Sequence, residues 1–323
     1  MSDSIMVTQG SLDREAELDQ LESHVRDALQ LAVEAGATEA EVSAQSSLGL
    51  SVNVRLGEVE TLEHMRDRGI SVSVMIGRRK GDASSADLRR ESLESCVRHA
   101  IDIARFTQED SSNGLADPDL LARNCPDLDL WHPEAIDAEA AIARAQRCEA
   151  AGRAVEGINN SEGASFNADL GLSVYGNTND FIGRKAGTSY GQSCVLLAGK
   201  GDSMQRDYSW DTRRCLDDLE EPERTGREAA RRTLRRLGAR QVPTCEAPVL
   251  LAPEVAIGLV GHLVAAISGS ALYRNSSFLK DHAGKQIFPA WMTVSERPRI
   301  PRAPSSTAFD AEGVATRDRD IIA

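Results

Sequence analysis

No Cys-x-x-Cys or Cys-x-His pair occurs in the 323 residues, and the six cysteines (Cys96, Cys125, Cys148, Cys194, Cys215 and Cys245) stand far apart. A cysteine zinc site needs thiolates at short spacing, so that class is set aside. An apolar leader is missing as well: the first residues, "MSDSIMVTQGSLDREAELDQ", are polar and acidic. Scattered thiols without a secretory core point to reduced cysteines and a cytoplasmic location. There is no glycine-rich phosphate loop and no repeat of solenoid period. Positive charge is short: 37 Lys and Arg stand against 50 Asp and Glu, a net charge of −13. Such a surface repels phosphate backbones, so nucleic acid is not the expected partner. Long apolar runs are scarce too. The stretch from Val255 to Tyr273 lacks Asp, Glu, Lys and Arg, but it holds His262, two serines and three glycines. Its length only just reaches that of a membrane span. It reads as a buried helix with its following loop, and no membrane partner is expected.

What is present describes a folded chain. Hydrophobic residues make up 41% and charged residues 27%, a globular balance. The length suggests two domains or one elaborate α+β unit. Leu18, Leu21, Val25, Leu29 and Ala32 recur at helical spacing, which predicts a helix over 12–35 ending at Gly36. Strict alternation at Leu48–Leu56 and again at Ile70–Ile76 predicts two antiparallel strands, the second closed by a turn in "GRRKG" at Gly77–Gly81. Helices are predicted over 87–105 and 137–155, with a punctuated loop between them. Residues 159–210 turn Gly-, Ser- and Asn-rich and predict a meander of short strands. An Arg- and Glu-rich helix follows over 221–237, its arginines reading as a solvated face. Val249–Ala252 reads as a short strand. Several prolines after Phe288 oppose regular structure, and "DRDIIA" ends the chain as a strand.

The helix that opens at Pro253, "PEVAIGLVGHL", raises the question of a metal. Zinc helices of the His-Glu-x-x-His type place two imidazoles one turn apart on one face, and the Glu acts on metal-bound water. Glu254 and His262 are eight residues apart, about 12 Å along a straight helix at 1.5 Å per residue. Zinc bonds of roughly 2 Å cannot bridge that gap. Pro253 suits the first helical position and Glu254 complements the helix dipole there. Gly258, Gly261, Ala265 and Ala266 form a small-residue surface, which implies close packing. His262 on that surface reads as a hydrogen-bonded core or interface residue.

Several longer stretches carry a resemblance. "APEVAIGLVGHLVAAISGSALYRNSSFL", "RGISVSVMIG", "EDSSNGLADP", "SEGAS", "MQRDYSW", "GREAARRTLRRLGARQVPT", "ERPRIP" and "STAFDAEGVATRDRDII" occur in this order. Over about Leu21 to Ala323 the chain resembles the PmbA/TldE side of the TldD/PmbA metallopeptidase family. The resemblance implies a subunit of a cytoplasmic zinc metallopeptidase complex that processes or degrades unfolded peptides and small proteins. It implies a TldD-like catalytic partner that carries the zinc on a His-Glu-x-x-x-His helix with a later cysteine. At the corresponding positions this sequence has Pro253, Glu254 and Gly258, so no cofactor and no metal are expected in this chain, and no catalytic residue beyond the weak candidates Glu254 and His262. Arg206, Asp207, Tyr208, Tyr273 and Arg274 fall in the most specific motifs and are the candidate peptide contacts; each also has an ordinary reading as an ion pair or packed tyrosine. The family's label as a modulator of DNA gyrase leaves a regulatory binding protein as an alternative, and a stand-alone hydrolase is the other.

The expected architecture is α+β. Helices pack on an antiparallel sheet in residues 1–155, and residues 156–323 form a strand-rich C-terminal domain. Members of the family continue past the position of Ala323, so that domain is expected to be incomplete.

Overall fold

The alternating positions of the first predicted strand do become a strand, but a longer one. In the computed structural model, which describes residues 13–322, β1 runs over Glu39–Arg55 and β2 over Glu58–Ile76. Leu12, Ala323 and most of the polar N-terminal segment lie outside the described residues. Leu56 and Gly57, both at positive φ (55° and 87°), make the two-residue turn between them, the twist-matched hairpin geometry. The predicted turn at Gly77–Gly81 is shorter than expected. Gly77 turns at φ 62° and the chain resumes at once as β3, Arg79–Ser85.

The expected short strands after residue 159 are instead long: β4 is Ile158–Asn177, β5 is Phe181–Ala198 and β6 is Gln205–Arg213. All six strands join one antiparallel sheet in the order β3-β2-β1-β4-β5-β6. Its central ladder pairs Val42 with Gly176 and Val52 with Phe166. The sheet therefore crosses the boundary placed at residue 155. Compact packing divides the described chain elsewhere: residues 13–238 with 297–317 form one unit, and 239–296 with 318–322 form the other.

In the first unit one sheet face carries the helices. α1 (Arg14–Glu34) and α2 (Arg90–Phe106) pack toward β1, β2 and β3. α3 (Ala138–Arg153) and α4 (Pro222–Arg235) pack toward β4, β5 and β6. Asp13 and Asp137 start α1 and α3 by accepting from the Ala16 and Ala140 amides, caps worth about 1 kcal/mol each. The core lies between the layers: Leu21, Val25, Val42, Val72, Val97 and Ile101 on one side, and Leu50, Val52, Phe166, Leu170 and Tyr190 on the other. α3 and α4 cross closely. A Cβ added at Gly226 would lie 1.9 Å from the Cys148 carbonyl oxygen, so only glycine fits there.

The second unit holds α5 (Pro253–Ile267), α6 (Gly269–Tyr273) and the two-stranded pair β7 (Val294–Glu296) and β8 (Arg319–Ile322). The strand expected at Val249–Ala252 is irregular chain. α5 forms where predicted, opened by Pro253, but it is not buried. Leu263 alone of its residues is enclosed, while Val255, Ile257, Leu259 and Val264 face solvent. No described helix is long and apolar enough to cross a membrane.

Candidate functional site: a polar sheet face and a helix without ligands

Position in the sheet decides which residues face what. On β1 the even residues from Ala40 to Val54 meet the helices. The odd residues Glu41, Ser43, Gln45, Ser47, Gly49, Ser51 and Asn53 point the other way. Register carries this division across the sheet. The opposite face of β4 then shows Asn167, Asp169, Gly171, Ser173 and Tyr175, and that of β5 shows Lys185, Gly187, Ser189, Gly191 and Ser193. Apart from Glu41, Asp169 and Lys185, these are small or neutral hydrogen-bonding residues rather than the Lys and Glu of a merely solvated face. Asp169 stands among them, half-enclosed by the sheet although its side chain still reaches solvent, and that enclosure raises its carboxyl above the usual range.

A cleft of about 720 Å³ opens on the first unit over Gln45, Ser47, Gly171, Ser173, Lys185 and Gly187. The segments 125–131 and 304–309 and Arg214 also line it, as do Arg14, Ser46, Leu172, Arg184 and Ala186 from the helix-bearing side. Lys185 donates from Nζ to the Phe309 carbonyl at 2.9 Å and sits 4.1 Å from the centre of the Phe309 ring. Arg214 donates to the carbonyls of Thr188 (2.9 Å) and Pro304. Burial lowers the pKa of both cations. Neither has a carboxylate partner within ion-pair distance among the described residues. Leu121, Ala122, Phe181 and Phe309 pack as a small apolar cluster beside Lys185, and a second cleft of about 280 Å³ continues past Lys185 over Ser43, Ser73 and Tyr175, with Glu41 and Asp310 in its lining. The Phe181 and Phe309 rings meet edge-on at 5.4 Å.

Gly187-x-Ser189-x-Gly191 matches the spacing of a hydrolase nucleophile elbow. It lies mid-strand in β5, paired with β4 throughout. A nucleophile elbow is a strained turn from strand to helix, so Ser189 is part of a sheet floor.

The predicted peptide contacts distribute as follows. Arg206 and Tyr208 project from the same exposed face of β6, an edge strand, together with Trp210. Arg206 donates from Nε to Glu162 at 2.7 Å. Asp207 points to the opposite face, where Arg236 approaches at 3.5 Å. Tyr273 ends α6 and Arg274 caps it, both in the second unit. Sequence reasoning missed Lys185, Arg214 and the small-residue face. The signal was the Ser, Gly and Asn at alternate positions of β1, β4 and β5.

α5 tests the metal question directly. Pro253 and Gly258 bring no donor atom, and Glu254 is the one carboxylate of this helix. His262 is two turns further on and exposed, so of its two readings, core or interface, it is not a core histidine of this chain. Gly258 and Gly261 have open space around them, so the close packing expected there is absent among the described residues. This donor set does not fit a zinc ion.

Three sequence profiles of one family match in order: PmbA/TldA metallopeptidase domain 1 at 40–104, the central domain at 131–237 and the C-terminal domain at 244–323. Metalloprotease PmbA of Escherichia coli O157:H7 is 44% identical over 310 residues, 95% of this chain and 68% of that protein. The chain belongs to the PmbA/TldD metallopeptidase family. The Metalloprotease PmbA homolog of Haemophilus influenzae is 42% identical over 95% of this chain and 68% of its own. Among solved structures, a candidate modulator of DNA gyrase from Bacteroides thetaiotaomicron superposes with a TM-score of 0.84 at 26% identity, covering 93% of this chain and 69% of that one. TldE of Thermococcus kodakarensis shares the fold, with a TM-score of 0.73 at 19% identity over 94% of this chain and 67% of that one. The mixed α+β architecture is thus that of the family.

Proposed function

We propose that this chain is the PmbA/TldE-type subunit of a cytoplasmic metallopeptidase complex, and that it supplies peptide-binding surface rather than the metal site. One observation carries the reading: in a chain 44% identical to a metalloprotease, the two helix positions where the family's catalytic partner bears imidazoles hold Pro253 and Gly258. A glutamate beside no metal-bound water cannot perform metal-assisted hydrolysis. The zinc then belongs to a TldD-like partner. Two further features support a companion chain. α5 shows Val255, Ile257, Leu259 and Val264 to solvent, apolar exposure of the kind that subunit contacts cover. The sheet offers a floor of small polar groups on which an extended peptide would lie. The net charge of −13 argues against nucleic acid as the substrate.

Co-expression with a TldD-like chain, followed by pull-down and a peptide-digestion assay, tests the proposal. Stable co-purification, with cleavage by the pair and none by this chain alone, is the expected result. Cleavage by the isolated chain that is abolished by Glu254→Gln would establish the stand-alone hydrolase instead. Co-purification with gyrase and not with a TldD-like chain would favour the regulatory binding protein.

A further inference from the structure

The last two strands of the sheet differ in length. β6 pairs with β5 only from Tyr190 to Ala198, with Arg213 opposite Tyr190. β5 begins earlier, at Phe181, and its first half has β4 on one side and no described strand on the other. Thr188 shows which main-chain groups this leaves bare. Its amide donates to the Leu130 carbonyl at 2.9 Å, and its carbonyl accepts from Arg214 at 2.9 Å. Both groups of Thr188 therefore point away from β4. In an antiparallel ladder every second residue points its N–H and C=O to the same side, and the β4–β5 register does not shift over this stretch. Ile182, Arg184 and Ala186 thus present their N–H and C=O outward. Among the described residues no partner meets any of these groups.

The large cleft lies along this edge. Arg184, Lys185, Ala186 and Gly187 line it consecutively. It touches Ser47 and Ser173 on the open face, and Ser46 and Leu172 on the helix-bearing face. A cleft that meets both faces of one sheet passes around a strand edge, and here that edge is β5. The segments 125–131 and 304–309 form its other walls. From Ile182 to Ala186 the bare edge is about 14 Å long at 3.4 Å per residue, enough for four or five residues of an extended chain.

We propose that the outer edge of β5 from Ile182 to Ala186 is a strand-addition site, at which an extended peptide hydrogen-bonds by its main chain in the place that β6 leaves empty. Alternating donors and acceptors at strand spacing are matched by another extended main chain, and such recognition tolerates any side-chain sequence. A single strand is the fitting occupant: a folded sheet edge would bring its own neighbouring strands against the walls at 125–131 and 304–309. The inference rests on the reading above that this chain binds peptide, and it names the main-chain groups that would hold it.

The test uses the full chain and a fluorescent, uncharged decapeptide of Ser, Thr, Val and Gln, with binding followed by anisotropy. Two analogues accompany it, one N-methylated at every second residue and one at every residue. The half-methylated peptide keeps one clean edge and should bind within about threefold of the parent; the fully methylated one, with no N–H to give, should bind at least about tenfold more weakly. Hydrogen exchange locates the site. In the free chain the Ile182, Arg184 and Ala186 amides should exchange fast, and saturating parent peptide should slow them. Ala186→Pro removes one outward N–H without touching the β4 ladder, a position at which an edge strand accepts proline, and should weaken binding about threefold to tenfold. Equal binding of all three peptides, no binding of any, or binding without slowed exchange in 181–187 overturns the site. So does protection of those amides in the peptide-free chain that rises with protein concentration, which would make a second copy the occupant. Exchange on the unaltered chain decides even if the proline variant fails to fold. A chain that pulls down a TldD-like partner yet shows no slowed exchange would refute the edge site and leave the subunit reading standing; slowed exchange without a TldD-like partner would do the reverse.

Discussion

Glu149 is a buried carboxylate whose removal should be felt strongly in the first unit. It sits on α3, 1% exposed, and its two carboxylate oxygens accept from the Leu56 and Gly57 amides, each at 2.8 Å. These are the amides of the β1–β2 turn, in which Leu56 holds a positive φ of 55°. That conformation costs a non-glycine residue about 1 kcal/mol or more. Glu149 therefore ties a strained hairpin turn to the helix layer. Hydrogen bonds to a charged group contribute roughly 1.5–3 kcal/mol each, so Glu149→Ala removes about 3–6 kcal/mol. The turn amides recover some water, and about 3 kcal/mol is the working figure. For a unit of this size 1 kcal/mol moves Tm by about 2–4 °C, so Tm should fall by about 6–12 °C. Glu149→Gln keeps one acceptor oxygen but aims an amide N–H at a donor, and it should fall between the two. Thermal unfolding followed by far-UV circular dichroism measures this. An alanine variant within about 2 °C of the parent would refute the clamp.

Other outcomes follow from single positions. Gly226→Ala drives a methyl into the Cys148 carbonyl and should destabilise by about 3 kcal/mol or more through separation of α3 and α4, seen as a lower urea midpoint. Tyr190 is fully buried, donates to the His132 carbonyl at 2.7 Å and accepts from the Glu134 amide, and burial pushes its phenol up to about 12. A raised pKa contributes stability that is complete below the unfolded value near 10 and is lost as pH climbs to about 12, on the order of 2 kcal/mol. Tyr190→Phe should flatten that alkaline loss in a pH series of unfolding midpoints. Arg206→Ala breaks an exposed pair with Glu162 and should change stability by less than about 1 kcal/mol, so a large drop in Tm would show that β6 is held differently.

Much of the fold was legible because periodicity reports burial. α1, α2 and α3 read correctly since Leu21, Val25, Val97 and Ala145 face a core at helical spacing. Strand lengths did not. From Glu58 to Arg66 both faces of β2 are exposed, so no alternation marks it, and β3 buries only Gly81. Val249–Ala252 shows the converse: apolar residues resemble a strand yet pair with none among the described residues. The apolar sequence of α5 predicted burial, but composition cannot say what covers a helix. On α5, that Pro253 and Gly258 carry no donor atom was readable letter by letter. The placing of Lys185 and Arg214 in one cleft was not, because it depends on the β5–β6 register, which sets Tyr190 against Arg213 and brings Arg214 back to Gly187 and Thr188 within β5.

The most direct measurement of the central claim is the metal content of the purified chain, by elemental analysis after mild dialysis, alone and in complex with a TldD-like partner. The account predicts zinc well below stoichiometric in the chain alone and stoichiometric zinc only in the complex. One zinc retained per isolated chain, and lost on Glu254→Gln, would contradict it.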